Sequence, residues 1–294
     1  MKYFKPFQVL QGHSDNVIIA RFSPDGNQIV SSSYDWTIRI WDIALEKEVQ
    51  VFRGHSCQVN DVQFSPNGNM IVSCSMDTTM RLWNIKLGLE IKKFEGHTSE
   101  VTRAEFSPDG KLIASGSLDN IIRIWNVILG KEINRLIGHS GVIRDIQFSS
   151  CGRKIVSSSS DKTICIWDAL SGDRLEKLKF HYYDVTSIQF SPDSRFILSC
   201  SYDKTIHIWD SKTKKTKTIT GHSNSVLGVK FIPMCTTVVS CSVDMTVRLW
   251  DIILGVEIQQ LQKHPRKVTA VDVAPDGNTI LSCSRDKIWL WKAL

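Results

Sequence analysis

Residues 12–53 read GHSDNVIIARFSPDGNQIVSSSYDWTIRIWDIALEKEVQVFR and contain the pattern that decides the fold. Four short runs, rich in β-branched and aromatic residues, begin at Val17, Gln28, Ile38 and Glu48. Turns containing Pro, Gly or Asp separate them, and runs bounded in this way are typical of β-strands. The segment therefore predicts one four-stranded antiparallel sheet.

This segment recurs along the whole chain of 294 residues. A histidine, a serine, an aspartate and a tryptophan return every 42 or 41 residues, and the serine stands four residues before the aspartate. In chain order the sets are His13, Ser31, Asp35 and Trp41; His55, Ser73, Asp77 and Trp83; His97, Ser115, Asp119 and Trp125; His139, Ser157, Asp161 and Trp167; His181, Ser199, Asp203 and Trp209; His222, Ser240, Asp244 and Trp250; His264, Ser282, Asp286 and Trp291.

Seven copies predict a single closed domain over residues 1–294. Because one small sheet cannot bury both of its faces, neighbouring copies must stack, and radial stacking closes a ring that leaves only short edges. We expect an all-β, closed seven-bladed β-propeller, with a four-stranded antiparallel sheet in each blade. The repeats span about 12–53, 54–95, 96–137, 138–179, 180–220, 221–262 and 263–294.

The phase of the repeat indicates how the ring closes. The last copy ends after its third strand, and residues 6–11 align with the outer strand of the other copies. We expect residues 6–11 to complete the last blade by pairing beside Lys287–Trp291. That copy also has one residue fewer between Asp286 and Trp291, which predicts a tightened turn.

Two dipeptides accompany the repeat. Gly-His occurs at 12–13, 54–55, 96–97, 138–139 and 221–222, and Trp-Asp occurs at 41–42, 167–168, 209–210 and 250–251. On these motifs the sequence resembles the WD-repeat β-propeller family, as a seven-bladed member made of the propeller alone. The departures from the motifs are Phe180-His181, Lys263-His264, Trp83-Asn84, Trp125-Asn126 and Trp291-Lys292. Since every copy keeps its histidine, aspartate and tryptophan, we expect seven complete blades.

Histidine, serine and aspartate in one unit could suggest a hydrolase triad. If each turn is centred on the aspartate, we expect the serine to face the tryptophan, which allows a chain from indole through hydroxyl and imidazole to carboxylate. The resemblance implies such a tetrad in each blade. Seven identical copies favour a structural role, and the chain contains no nucleophile elbow and no phosphate-binding glycine loop. We therefore predict no catalytic residues and no enzyme activity.

The eight cysteines are never closer than six positions, so no Cys-x-x-Cys pair offers the spacing of a metal or redox site. Cys74, Cys200, Cys241 and Cys283 all stand three residues before the repeated aspartate, which indicates a small buried position. We predict no metal and no cofactor.

Recognition is expected where the scaffold varies. In the family that the sequence resembles, the loop before the first strand and the turn between the second and third strands open at the narrower channel mouth, and variable residues there are candidates for binding. Aromatic and arginine side chains are typical of binding hot spots, although each of these residues could instead pack locally. The candidates are Ile18, Tyr34, Trp36, Met76, Leu118, Arg144, Tyr182, Tyr183, Tyr202 and Arg285.

The function predicted is a non-catalytic scaffold that binds proteins or peptides and nucleates a multi-subunit complex. The alternative is a nucleic-acid-associated propeller that uses a basic edge over Lys212–Lys217, and the net charge of +6 permits acidic partners without requiring them.

No apolar run is long enough to span a bilayer, and the N-terminus lacks a secretory signal. We expect an intracellular protein of the cytoplasm or nucleus, monomeric within a hetero-complex, with no membrane partner and no small-molecule substrate.

Overall fold

The computed structural model describes residues 2–233, 236–261, 264–285 and 287–294. Within these ranges the regular secondary structure consists of 28 β-strands, and no helical segment there has the length and hydrophobicity that crossing a bilayer requires. In chain order the strands are β1 (Phe4–Gln11), β2 (Val17–Phe22), β3 (Gln28–Ser33), β4 (Ile38–Asp42), β5 (Lys47–Phe52), β6 (Val59–Phe64), β7 (Met70–Ser75), β8 (Met80–Asn84), β9 (Leu89–Phe94), β10 (Val101–Phe106), β11 (Leu112–Ser117), β12 (Ile122–Asn126), β13 (Lys131–Leu136), β14 (Ile143–Phe148), β15 (Lys154–Ser159), β16 (Ile164–Asp168), β17 (Arg174–Leu178), β18 (Val185–Phe190), β19 (Phe196–Ser201), β20 (Ile206–Asp210), β21 (Thr216–Ile219), β22 (Val226–Phe231), β23 (Thr237–Ser242), β24 (Val247–Asp251), β25 (Val256–Leu261), β26 (Ala270–Val273), β27 (Thr279–Ser284) and β28 (Lys287–Ala293).

The strands form seven antiparallel sheets of four strands, which are the blades of a propeller. Blades 1 to 6 each use four consecutive strands, starting with β2–β5 and ending with β22–β25. The first strand of each blade contacts the first strands of both neighbouring blades, so that β2 contacts β6 on one side and β26 on the other. The prediction of an all-β, seven-bladed propeller is confirmed.

Blade 7 has the strand order β1-β28-β27-β26, so the N-terminal strand is its outermost strand. Leu10 pairs with Ile288 and Gln11 with Lys287 in an antiparallel register. The expected closure is confirmed, and the closing strand begins at Phe4, before the expected start at residue 6. In the adjoining hairpin Ser284 pairs with Lys287, a shorter connection than the one closed by Ser32 and Ile38 in blade 1, as expected for the shortened copy. Asp286 lies outside the described residues.

The core lies between neighbouring blades. The last residue of an outer strand packs on the tryptophan of the next blade: the ring centroids of Phe52 and Trp83 are 5.4 Å apart, and those of Phe94 and Trp125 are 5.7 Å apart. Burying one such phenylalanine contributes about 1.5–3 kcal/mol. The repeated apolar residues therefore join each blade to the next one.

A one-residue bulge interrupts the outer strand of six blades, because the pairing register skips one residue there. A bulge twists an edge strand and discourages pairing with other chains. In blade 5 the pairing of β20 with β21 is continuous. This accounts for the 41-residue step between Trp209 and Trp250, since the residue that this copy lacks is the bulged one. The skipped residues are Phe7, Val49, Ile91, Ile133, Leu175 and Ile258.

Candidate partner-binding site at the channel mouth

The repeated polar residues form buried hydrogen-bonded chains. In blade 1 the indole Nε1 of Trp41 donates to Ser31 Oγ at 2.8 Å, and Ser31 Oγ lies 2.8 Å from His13 Nε2. His13 Nδ1 lies 2.8 Å from Asp35 Oδ2. Since the indole can only donate, the consistent assignment has Ser31 donating to Nε2 and Nδ1–H donating to the carboxylate. Burial alone would raise the pKa of Asp35, but the hydrogen bonds from His13 and Thr37 outweigh it and lower that pKa well below its usual value.

One detail of the expected tetrad geometry is wrong. The expectation placed the serine opposite the tryptophan, whereas the register pairs Ser31 with Arg39 and Trp41 with Ile29. In an antiparallel pair, residues two positions out of register still share a face and lie within reach of a long aromatic side chain. The indole therefore reaches Ser31 along the diagonal and not straight across.

Blade 5 lacks the tryptophan bond. His181 contacts Ser199 at 2.9 Å and Asp203 at 2.9 Å, but the described residues include no bond from the Trp209 indole to Ser199. Blades 1 to 4 and blade 6 have a glycine before the histidine, whereas blade 5 has Phe180 and blade 7 has Lys263. A Cβ on Gly54, for example, would lie only 2.9 Å from the Trp83 ring. Since blade 7 keeps its tryptophan bond without a glycine, the loss of the glycine does not by itself explain the missing bond in blade 5. The seventh tetrad retains bonds from His264 and Trp291 to Ser282, and its Asp286 lies outside the described residues.

A charged network joins the innermost strands inside the channel. Asp145 Oδ1 accepts from Arg103 Nε at 3.1 Å, and Asp145 Oδ2 accepts from Ser187 Oγ at 2.9 Å and from the Ile188 amide at 3.0 Å. These partners lie on blades 3 and 5, so one carboxylate on blade 4 bridges three blades. An uncompensated charge at such a place is costly, which makes the network a structural element of the channel.

One mouth of the channel is a cavity of about 400 Å³. It is formed by the residues at which the innermost strands begin and by the turns between the second and third strands. All seven strand-start positions line it: Ile18, Asn60, Thr102, Arg144, Thr186, Leu227 and Thr269. Leu118 and Tyr202 from the turns also line this mouth cavity, as do Gln58, Glu100, Arg103 and Val142.

Several of the predicted binding residues in blades 4 and 5 already contact other side chains of the protein. Arg144 Nη2 donates to Asp184 Oδ2 at 2.8 Å, and its guanidinium lies 5.9 Å from the centre of the Tyr202 ring. Lys162 Nζ lies 5.6 Å from the ring centre of Tyr183. These side chains are held in place by neighbours on the same face.

Trp36 is an exposed aromatic residue beside the mouth, with 53% of its surface accessible. Its φ of 66° lies in the left-handed region, but the equivalent turn position is also left-handed in blades 2 to 6, at Thr78, Asn120, Lys162, Lys204 and Met245. This backbone conformation therefore belongs to the repeated turn, and the feature particular to Trp36 is its large exposed side chain.

Comparison with protein families identifies the repeat. The family model described as "WD domain, G-beta repeat", WD40, matches residues 4–42, 46–84, 88–126, 130–168, 172–210, 213–251 and 255–292. The chain belongs to the WD40 family. Each matched segment starts with the outer strand of one blade and ends with the third strand of the next, so the WD40 repeat and the structural blade are offset by one strand.

One curated relative is a Notchless protein homolog of Arabidopsis thaliana, to which this WD40 chain is similar. The two are 46% identical over 39 residues. The match covers 13% of this chain and 8% of the relative, so it corresponds to a single repeat.

The WD40 ring distributes the sequence-predicted residues between two cavities. Ile18, Leu118, Arg144 and Tyr202 line the mouth cavity. Ile18 also lines a second cavity of about 530 Å³, together with two further candidates, Tyr34 and Arg285. We call this second cavity the side pocket. The remaining candidates, Trp36, Met76, Tyr182 and Tyr183, line neither cavity and are exposed on the surface.

Sequence reasoning missed the other walls of the side pocket, which include Val243, Met245, Arg266 and Lys267. A signal was present, because residues 263–267 read Lys-His-Pro-Arg-Lys where four of the other copies start with Gly-His-Ser. That departure from the repeat places two basic residues beside the pocket.

The basic edge of blade 5 is partly occupied by contacts within the protein. Lys214 Nζ forms an ion pair with Glu176 and lies 4.9 Å from the Trp209 ring centre, and Lys217 Nζ donates to the carbonyl of Ile253. Lys212 and Lys215 are exposed.

Burial raises the pKa of the thiols of Cys74, Cys165, Cys241 and Cys283, and that of Cys200 to about 12, which disfavours the reactive thiolate form. Among the described residues, no group of three or more His, Cys, Asp or Glu side chains is arranged to hold a metal ion.

Proposed function

We propose that this WD40 propeller is a non-catalytic scaffold that binds a protein or peptide partner at the channel mouth and nucleates a multi-subunit complex. The observation that carries the proposal is the convergence of variable, partly exposed side chains from all seven blades on one cavity. The scaffold around the cavity is constant, while Ile18, Leu118, Arg144 and Tyr202 make its wall chemically uneven. Such a surface suits one orientation of a partner.

The non-catalytic part of the proposal rests on the tetrads. Ser31 Oγ is fully buried and is already engaged by both His13 and Trp41. A nucleophile must be able to contact its substrate, and this hydroxyl cannot do so without opening the blade. The same arrangement recurs in blades 2, 3 and 4, at Ser73, Ser115 and Ser157.

The test is affinity capture of tagged full-length protein followed by mass spectrometry. The substitutions Trp36→Ala and Tyr202→Ala, made together, should reduce recovery of the partners. The matched control is Leu87→Ala with Leu170→Ala, which removes two exposed apolar side chains from the turns at the opposite side of the ring. Equal recovery with both variants, or selective loss with the control, would contradict recognition at the mouth.

The nucleic-acid alternative predicts a different outcome. A labelled single-stranded RNA should then bind with an affinity that falls steeply as salt concentration rises. The substitutions Lys212→Glu and Lys215→Glu should abolish that binding without changing protein capture. The local engagement of Lys214 and Lys217 favours the protein-binding proposal.

A further inference from the structure

The side pocket lies beside the channel mouth, between blades 6, 7 and 1. Val243 and Met245 come from the turn of blade 6, Arg285 comes from the turn of blade 7, and Val17 and Ile18 begin the innermost strand of blade 1. Its volume of about 530 Å³ is within the range of pockets that hold a ligand. The pocket is separate in position from the mouth cavity and shares only Ile18 and Thr269 with it.

The irregular start of the seventh copy opens this pocket. The innermost strand β26 begins only at Ala270, so residues 265–269 run as a loop along the pocket. Ser284 Oγ donates to the backbone carbonyls of Arg266 at 3.3 Å and Lys267 at 3.0 Å, which holds the loop while both side chains remain exposed.

The neighbouring turn also departs from the regular pattern. In blade 1 the Tyr34 amide donates to the Asn16 carbonyl at 3.0 Å and ties the turn to the loop before the strand, as in the other regular blades. Within the described part of blade 7, the Arg285 amide forms no such bond. Its carbonyl instead accepts from the Val17 amide of blade 1 at 2.5 Å. The turn is thus joined to blade 1, and a gap remains between it and the loop.

The charged side chains described in the walls of the side pocket are all basic. Arg266, Lys267 and Arg285 are exposed, and no ion pair involves them among the described residues. Among the residues that the structure describes, no acidic side chain lines the pocket. Asp15 lies in an adjacent groove that also contacts Arg285, and its Oδ1 accepts from the backbone amide and the side chain of Asn16; among the described residues no ion pair joins Asp15 to Arg285. The remaining walls are mostly apolar, through Val17, Ile18, Val243 and Met245.

We propose that the side pocket binds an acidic peptide segment of a partner, with one bulky apolar side chain seated between Val243, Met245 and Ile18 and flanking Asp or Glu carboxylates paired with Arg266 and Arg285. This inference rests on the proposed scaffold function and names the kind of segment that the scaffold takes. Three cations without described partners attract carboxylates and steer their approach. The apolar wall then supplies the affinity that exposed ion pairs alone do not provide.

The test begins with peptide display on the immobilised full-length protein, without a partner. We expect the selected sequences to contain an aliphatic or aromatic residue flanked by Asp or Glu. The most enriched sequence is then synthesised with a fluorescein label, and its affinity is measured by fluorescence anisotropy. Raising NaCl from about 0.05 M to about 0.5 M should weaken binding, because exposed charges are screened.

Charge reversal on the pocket gives the decisive comparison. Arg266→Glu with Arg285→Glu should lower the affinity for the labelled peptide by about tenfold or more. Arg266→Lys with Arg285→Lys should retain most of that affinity. The matched control is Lys212→Glu with Lys215→Glu. It changes the net charge by the same amount, in the connection after β20, at the opposite face of the ring. Met245→Asp should abolish binding, since it places a carboxylate at the apolar wall. A thermal melt of each variant shows that it is folded.

Several results would overturn the proposal. Selected peptides without acidic enrichment, or equal loss of affinity with the Lys212 and Lys215 control, would show that the pocket does not select acidic segments. Binding only of a phosphorylated peptide, displaced by inorganic phosphate, would assign the pocket to phosphate instead. Partner capture that is lost with Trp36→Ala and Tyr202→Ala, but kept with the Arg266 and Arg285 reversal, would leave the scaffold function standing and reject the pocket. Capture unaffected by either variant would reject both.

Discussion

Leu10 pairs with Ile288 in the sheet of blade 7, and this contact closes the propeller between its two chain ends. Leu10 is 2% exposed, whereas its neighbour Val9 is 40% exposed. Leu10→Ala should therefore destabilise the protein by about 2–5 kcal/mol, and Val9→Ala by less than about 0.5 kcal/mol. Denaturant unfolding measures both, and deleting residues 4–11 should lower the melting temperature further than either substitution. Equal stabilities of the two point variants would contradict closure through this strand.

Two adjacent serines in blade 4 allow the effect of the tetrad hydrogen bonds on stability to be compared with the effect of burial alone. Ser157 Oγ bonds to His139 and Trp167, each at 2.8 Å, while Ser158 Oγ is equally buried and has no hydrogen-bond partner in the described structure. Ser157→Ala leaves two buried groups unpaired and should cost about 1–3 kcal/mol. Ser158→Cys copies the Cys74 found at the same position in blade 2 and should be nearly neutral. A loss of the same size in both variants, measured by thermal unfolding, would argue against a structural tetrad.

Asp145 should be one of the most sensitive carboxylates in the channel. Asp145→Ala leaves Arg103, Ser187 Oγ and the Ile188 amide without their acceptor and should destabilise the protein by about 3–5 kcal/mol. The control is Asp184→Ala, which breaks a more exposed pair with Arg144 and should cost about 0–1 kcal/mol. Urea unfolding of the two variants checks the difference. If Asp184→Ala lowered the free energy of unfolding as much as Asp145→Ala, the channel network would contribute no more to stability than an exposed ion pair.

His207 gives blade 5 a distinct response to acid. Burial and the neighbouring His181, whose ring centre is 4.4 Å away, lower the pKa of His207 to about 4. In the unfolded chain the imidazole takes up its proton near pH 6.5, so the unfolded state binds more protons between these values. The stability contribution of a neutral His207 is thus present above about pH 6.5 and is lost as the pH falls towards about 4.

The variant His207→Cys, which copies Cys165 of blade 4, should remove this component. We expect the melting temperature of the wild type to fall more than that of the variant between about pH 7.5 and about pH 4.5. Above the unfolded-state pKa the difference between the two proteins should be constant. Parallel curves over the whole range would show that His207 does not titrate as described.

The fold could be predicted from the sequence because each copy of the repeat contains the residues that define its own strands and turns. Strand, turn and tetrad residues recur in each copy, so the four-stranded unit, the number of blades and the closing strand could be predicted. The shortened hairpin of blade 7 could be predicted too, from one missing residue. Blade 5 shows the limit: this copy keeps the histidine, serine, aspartate and tryptophan of the repeat, yet the described structure has no bond from the Trp209 indole to Ser199, because the repeat spacing does not fix the distance between the two side chains.

The sequence by itself determined the seven-bladed ring and the residues that share a strand end, since alternation and spacing decide both. Only the tertiary structure decided which of those residues meet. Arg266, Met245 and Ile18 belong to three different copies, and ring closure brings the first copy beside the seventh to enclose them in one pocket. The partners of Arg144, Lys214 and Lys217 lie on neighbouring blades for the same reason. Contacts between copies depend on the angle and separation of whole sheets, and no single repeat encodes them.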